Sequence, residues 1–163
     1  MLNELTFEDR ISGCLLGGAC GDALGAPVEF NSLHEIHQSY GPHGIRQFSE
    51  VYGRVGDITD DTQLTLFTAE GLAEAFEAQN PPDNKAILKS VHEALYRWRA
   101  TQLNSTNVLE EFRDHPGLIQ EPEMLGGTPR DLHAWTILRC AGLWGLWPSI
   151  IPRAMAGSCE LPQ

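Results

Sequence analysis

The chain has 163 residues, enough for one domain with a core of its own. Asp and Glu number 22 against 11 Lys and Arg, for a formal net charge of −11. That balance provides no phosphate-neutralising face and argues against nucleic acid as a partner.

The four cysteines, Cys14, Cys20, Cys140 and Cys159, form no Cys-x-x-Cys pair, so neither a zinc site nor a thioredoxin-like centre is indicated. Cys14 and Cys20 fall in an apolar helical stretch and read as small core residues. Met1 to Arg10 is acidic and has no apolar segment of the signal-peptide kind. The apolar run from Ile11 is glycine-rich and interrupted by Asp22 and Glu29, which speaks against a membrane span. A reducing, cytoplasmic setting is the expectation.

In chain order, Thr6-Phe7-Glu8-Asp9 is a capping-box start, and Ile11, Leu15, Ala19 and Ala23 follow at helical spacing. Gly13, Gly17, Gly18 and Gly21 each cost roughly 0.8–1 kcal/mol relative to Ala in a helix, which predicts close approach of a neighbouring helix or a ligand. Pro27 ends or kinks this segment, with Glu29 just beyond. Residues 31–56 have no clean period and hold His34, His37 and His43. The i, i+3 pair His34 and His37 suits a short surface helix better than a metal site. Asp60 to Gln79 is the clearest helix. Its stripe is Leu64, Phe67, Gly71 and Ala75, its Glu70, Glu74 and Glu77 are expected mostly in water, and Pro81-Pro82 stops it. Asp83 caps the next helix, with Ile87, Val91, Ala94/Leu95 and Trp98 inward, and Val108 to Phe112 suggests a shorter one. With no strand alternation in competition, the pattern predicts an all-α compact helical bundle.

Gly56-Asp57-Ile58-Thr59-Asp60-Asp61-Thr62-Gln63 carries the chemistry. Asp60 and Asp61 are hard oxygen ligands at a helix start, of the kind that suits Mg²⁺ better than Zn²⁺, and Thr59 or Asp60 is a natural N-cap. A capped helix with a solvated acidic first turn explains the same residues equally well. A second segment, Gly17-Gly18-Ala19-Cys20-Gly21-Asp22-Ala23-Leu24-Gly25-Ala26-Pro27-Val28-Glu29-Phe30, precedes it. Gly-Asp-Ala-Leu-Gly and Thr-Asp-Asp-Thr, in this order, resemble the ADP-ribosylglycohydrolase family, which removes ADP-ribose from dinitrogenase reductase and from arginine side chains. The resemblance covers Phe7 to Leu125.

The resemblance implies a compact all-helical fold and a hydrolase that cleaves the N- or O-glycosidic bond between ADP-ribose and a protein side chain. It implies a two-ion Mg²⁺ site, one half from Thr59, Asp60 and Asp61 and the other from a C-terminal Asp-x-Asp-Thr motif that these 163 residues do not contain. Glu29, Asp60 and Asp61 are the implied catalytic residues, with Glu29 beside the ribose. The implied partner is an ADP-ribosylated protein or a small ADP-ribose derivative, with no nucleic acid and no membrane. Asp22 reads as a structural carboxylate that accepts from backbone N–H groups. Arg54 either offsets the acidic cluster or contacts phosphate. With half of the site missing, weak Mg²⁺ binding and poor turnover are expected. A non-catalytic module that binds ADP-ribose or a protein is the alternative.

Residues 1–125 thus read as the N-terminal part of such a domain, and residues 126–163 as an aberrant tail. The tail has no lysine and contains Trp135, Trp144 and Trp147. Either it is a hydrophobic hairpin docked on the bundle, or the reading frame slips near Leu125. Back-translated from Trp147 to Pro162 and read from the last base of each codon, suitable synonymous codons give Ala-Ile-Asn-Asn-Ser-Lys-Gly-Tyr-Gly-Gly-Val-Met-Arg-Val-Ala-Pro, similar to the family's Asn-Asp-Ser-Lys-Gly-x-Gly-x-Val-Met-Arg followed by an apolar helix. On that reading the chain is C-terminally truncated relative to the family.

Overall fold

A computed structural model describes residues 5–51, 54–103 and 106–124. The expectations for residues 126–163 lie outside the described residues.

The fold is all-α. Helix α1 (Phe7–Gly25) runs into a 3₁₀ turn (Ala26–Val28), followed by α2 (Leu33–Tyr40), a minimal ribbon of β1 (Glu50–Val51) and β2 (Arg54–Val55), α3 (Asp60–Ala78), α4 (Asn84–Leu103), α5 (Thr106–Glu111), and 3₁₀ turns at Leu118–Gln120 and Pro122–Met124. The ribbon is antiparallel, with Glu50 opposite Val55 and Val51 opposite Arg54. It occupies the stretch without a helical period.

Local chemistry sets the helix starts. Thr6 and Asp9 form a reciprocal capping box at α1, and Ser32 and Glu35 form another at α2. Their hydrogen bonds hold the Asp9 and Glu35 carboxyls below their ordinary pKa. The Asp83 carboxylate accepts the Ala86 N–H at 2.7 Å and so starts α4 as expected. Helix α3 ends where Gln79 turns extended, two residues before Pro81.

Helices α3 and α4 form the central hairpin. Their contacts pair Gln63 with Trp98, Glu70 with Arg97 and Gly71 with Val91, so the two run antiparallel. At Gly71 the helices nearly touch: a Cβ there would lie 2.7 Å from Val91 Cα and 2.8 Å from the Ser90 carbonyl oxygen. The core gathers Ala19 and Ala23 of α1, Ile58, Leu66 and Phe67 of α3 and its approach, and Leu118 and Met124, with Leu95 and Trp98 packed against it. Trp98 also donates its indole N–H to Gln63 Oε1 at 3.0 Å.

Two expectations are corrected, and a third is narrowed to one of its two alternatives. Cys14 and Cys20 are exposed, not core. The buried edge of α1 follows Ala19 and Ala23, and at about 100° per residue Cys14 and Cys20 fall well off that line. Glu70 is buried, at 1% exposure, where solvent was expected. Its Oε2 accepts from Arg97 Nη2 at 3.0 Å and its Oε1 from the Leu118 N–H at 2.7 Å. Glu74 Oε1 accepts from the same Arg97 nitrogen at 2.5 Å. Burial works against the Arg97 charge, but the hydrogen bonds and charges of Glu74 and Glu70 outweigh it and hold the guanidinium pKa above its ordinary value. Finally, Gly13, Gly17, Gly18 and Gly21 meet no neighbouring helix, since nothing among the described residues lies within 4 Å of a Cβ built on any of them.

By length and composition, Phe7–Val28 would suffice to cross a membrane, with mean hydropathy 1.3 in its most apolar window. In this fold the helix contributes Ala19 and Ala23 to the core and points the Asp22 carboxylate at α3.

Candidate active site: a cleft between the first helix and the start of α3

The glycines of α1 open a cleft of about 530 Å³. Its lining includes Gly17, Gly18, Gly21, Asp22 and Gly25 of α1, Glu29 just beyond it, and Asp61, Thr62 and Thr65 of α3. Small-ligand sites span about 300–1,000 Å³, so the space suits a small organic ligand. Side chains at the glycine positions would fill it.

Asp22 ties the two walls together. Its Oδ2 accepts the backbone N–H of Thr59 at 2.8 Å, the N–H of Thr62 at 3.2 Å and the Thr62 hydroxyl at 2.5 Å. Its Oδ1 accepts the Thr59 hydroxyl at 2.7 Å. These bonds satisfy N–H groups that the first turn of α3 leaves without helical partners. The structural reading of Asp22 agrees with this geometry. Thr59 is the N-cap of α3, and its hydroxyl oxygen also accepts the Asp61 N–H at 3.3 Å.

The expected site residues are brought together in part. Glu29 and Asp61 both line the cleft, and both are exposed. Asp60 is exposed but lies outside the lining, and Thr59 is buried behind the first turn. His34 and His37 lie on the exposed surface of α2.

As cation ligands, the carboxylates of Asp60 and Asp61 fit chemically: they are hard oxygen donors, open to solvent, at the start of one helix. They make one side of a shell only. Among the described residues no group of three or more His, Cys, Asp or Glu side chains stands ready to hold a metal ion.

Sequence reasoning overlooked Thr62 and Thr65 as part of the lining. The available signal was the i, i+3 spacing of Thr59 and Thr62, which puts both hydroxyls on the face turned to Asp22 of α1. It also overlooked Asp57, which is buried at 7% exposure with Oδ1 unpartnered. Burial raises the Asp57 pKa above its ordinary value, and the charge of Arg54 works against that rise.

Known proteins resemble part of this chain. An uncharacterized protein of Archaeoglobus fulgidus is 40% identical over 79 residues, covering 45% of this chain and 25% of the relative. An ADP-ribosyl-(dinitrogen reductase) glycohydrolase of Rhodospirillum rubrum is 46% identical over 69 residues, covering 42% of this chain and 24% of the relative. The chain therefore spans about a quarter of the length of these curated relatives. No solved structure matches it. The sequence model of the ADP-ribosylglycohydrolases matches residues 3–142, most of the chain and beyond the Leu125 boundary. On that match, and on the all-helical fold that carries its two motifs, this chain belongs to the ADP-ribosylglycohydrolase family.

Proposed function

We propose that the chain provides the N-terminal wall of a site that hydrolyses the glycosidic bond between ADP-ribose and a protein side chain or a small derivative. The observation that carries this reading is the placement of Glu29, just beyond the first family motif, and Asp61, within the second, on one ligand-sized cleft. Asp60 and Asp61, with the Thr59 oxygen, would hold one side of a Mg²⁺ site. Mg²⁺ in such a site supplies orientation of ribose hydroxyls and activation of water. The residues of this chain have separable tasks. Glu29 and Asp61 present negative charge where an oxocarbenium-like centre would develop. The glycines leave room for the ligand, and Asp22 fixes the first turn of α3.

An Asp-x-Asp-Thr half-site is absent from the 163 residues. Two adjacent carboxylates do not complete a near-octahedral shell, and they repel each other without a cation. The chain by itself is therefore expected to bind Mg²⁺ weakly and to turn over poorly. The test is hydrolysis of ADP-ribosyl-arginine by the purified chain, with and without Mg²⁺, beside a full-length family member. Activity matching the full-length enzyme would overturn the half-site reading. The second reading, a binding module, is favoured by the absence of a three-ligand cluster among the described residues. Calorimetry with free ADP-ribose tests it: binding without turnover is its expected signature.

A further inference from the structure

Four donors converge on Asp22, and a carboxylate offers about four acceptor sites. Asp22 lines the cleft, and its Oδ2 takes three of the four donors while its Oδ1 takes only the Thr59 hydroxyl. What it does to Thr59 matters more. A carboxylate only accepts, so the Thr59 hydroxyl must donate its single proton to Asp22 Oδ1. One of the two lone pairs of Thr59 Oγ1 then accepts the Asp61 N–H. A single lone pair remains, with no proton in its way.

We infer that Asp22 is a positioning residue: it draws the hydroxyl protons of Thr59 and Thr62 onto itself and so presents the Thr59 oxygen as an acceptor toward a divalent cation held with Asp60 and Asp61. This inference rests on the reading of Thr59-Asp60-Asp61 as a cation half-site. The Asp22→Asn change isolates the effect. The asparagine oxygen can still accept the Thr59 and Thr62 N–H groups, but its NH₂ then faces Thr59 Oγ1 and donates to it. Both lone pairs of that oxygen become occupied, by the amide and by the Asp61 N–H. The hydroxyl proton turns outward, to where the cation would sit.

The experiment is a Mn²⁺ titration of the full 163-residue chain, followed by electron paramagnetic resonance. The parent, Asp22→Asn, Thr59→Val and the double variant are compared, with thermal melts of each. Outer-shell partners of ligands typically contribute about 10–100-fold to metal affinity, and a loss of that size is expected for Asp22→Asn. In the Thr59→Val background the same change should cost nothing further, because the oxygen it acts through is gone. Equal affinity of parent and Asp22→Asn overturns the inference. So do losses that simply multiply in the double variant, which would mark Asp22 as a general support of the fold. A parent chain that takes up no Mn²⁺ at millimolar concentration removes the half-site reading and the inference with it, and the parent titration alone identifies that case. Should Asp22→Asn fail to fold, proton NMR of the parent decides. A Thr59 hydroxyl proton that stays protected from exchange as Mg²⁺ is added supports the inference, and one released by Mg²⁺ overturns it.

Discussion

Arg97 brings one positive charge to two carboxylates, Glu70 almost closed to water and Glu74 partly open to it. Removing one member of a buried ion pair leaves its partner uncompensated, at about 3–5 kcal/mol. Arg97→Met is expected to lower stability by that order in urea denaturation, and Glu70→Gln added to it should restore part of the loss. Asp57 is the opposite case, a buried carboxyl oxygen without a partner. Its folded pKa is raised, so the folded state binds the proton more tightly than the unfolded chain does. The stability it contributes is full below the ordinary carboxyl pKa and is lost as pH rises through the folded value. Asp57→Asn should therefore raise the Tm at pH 7 and flatten its fall with pH across the acidic range. A lower Tm at pH 7 would contradict this. Residue types in the Gly-Asp-Ala-Leu-Gly motif supported Asp22 as a structural acceptor, in agreement with the four donors that converge on it. They misplaced Glu70, because a helix pattern gives a glutamate no reason to turn inward until Arg97 of the next helix is seen opposite it.

At the level of elements, glycine means two different things here. Gly71 sits where α3 touches α4, and a methyl group there overlaps backbone. Gly71→Ala is expected to destabilise by about 1–3 kcal/mol, the usual effect of overpacking. Gly13 faces open space on α1 and lies outside the cleft lining. Gly13→Ala should stabilise by roughly 0.8–1 kcal/mol through helix propensity. Paired denaturation curves check both, and a shared sign would contradict the assignment. The starts of α1 and α4 were legible in the sequence because Thr6 and Asp83 act within three residues of themselves, whereas the Ser32 cap of α2, of the same kind, was not singled out. The β1–β2 ribbon was not, since two residues per strand are too few to show alternation.

For the molecule as a whole, α1 is the conspicuous element. Its most apolar stretch is only 11% buried, with Ala19 and Ala23 alone reaching burial on the helix. Most of each curated relative lies outside the match with this chain. The purified chain is expected to bind ANS and to elute ahead of a monomer on size exclusion. A sharp monomeric melt without ANS fluorescence would contradict that expectation. If the frame slips near Leu125, DNA sequence from codon 115 past codon 163 should show a second open frame that carries Gly-x-Asp-x-Asp-Thr, and the protein translated from it should gain Mg²⁺-dependent hydrolysis. The all-α class was legible from periodicity alone. The cleft was not, because it arises between segments about forty residues apart and only their shared motifs announce the pairing.

The Glu70 carboxylate also accepts the Leu118 N–H, at a corner where Gly117 has φ +115° and any Cβ would run into the Glu70 oxygen. The segment from Gly117 to Met124 is thus pinned to the α3–α4 hairpin by a charged acceptor as well as by Leu118 and Met124 in the core. In deuterium terms, the Leu118 amide becomes a clock for that hairpin. It exchanges only when the segment lifts and Glu70 is laid bare, so its protection factor should track the opening of the α3–α4 pair and collapse first in Arg97→Met.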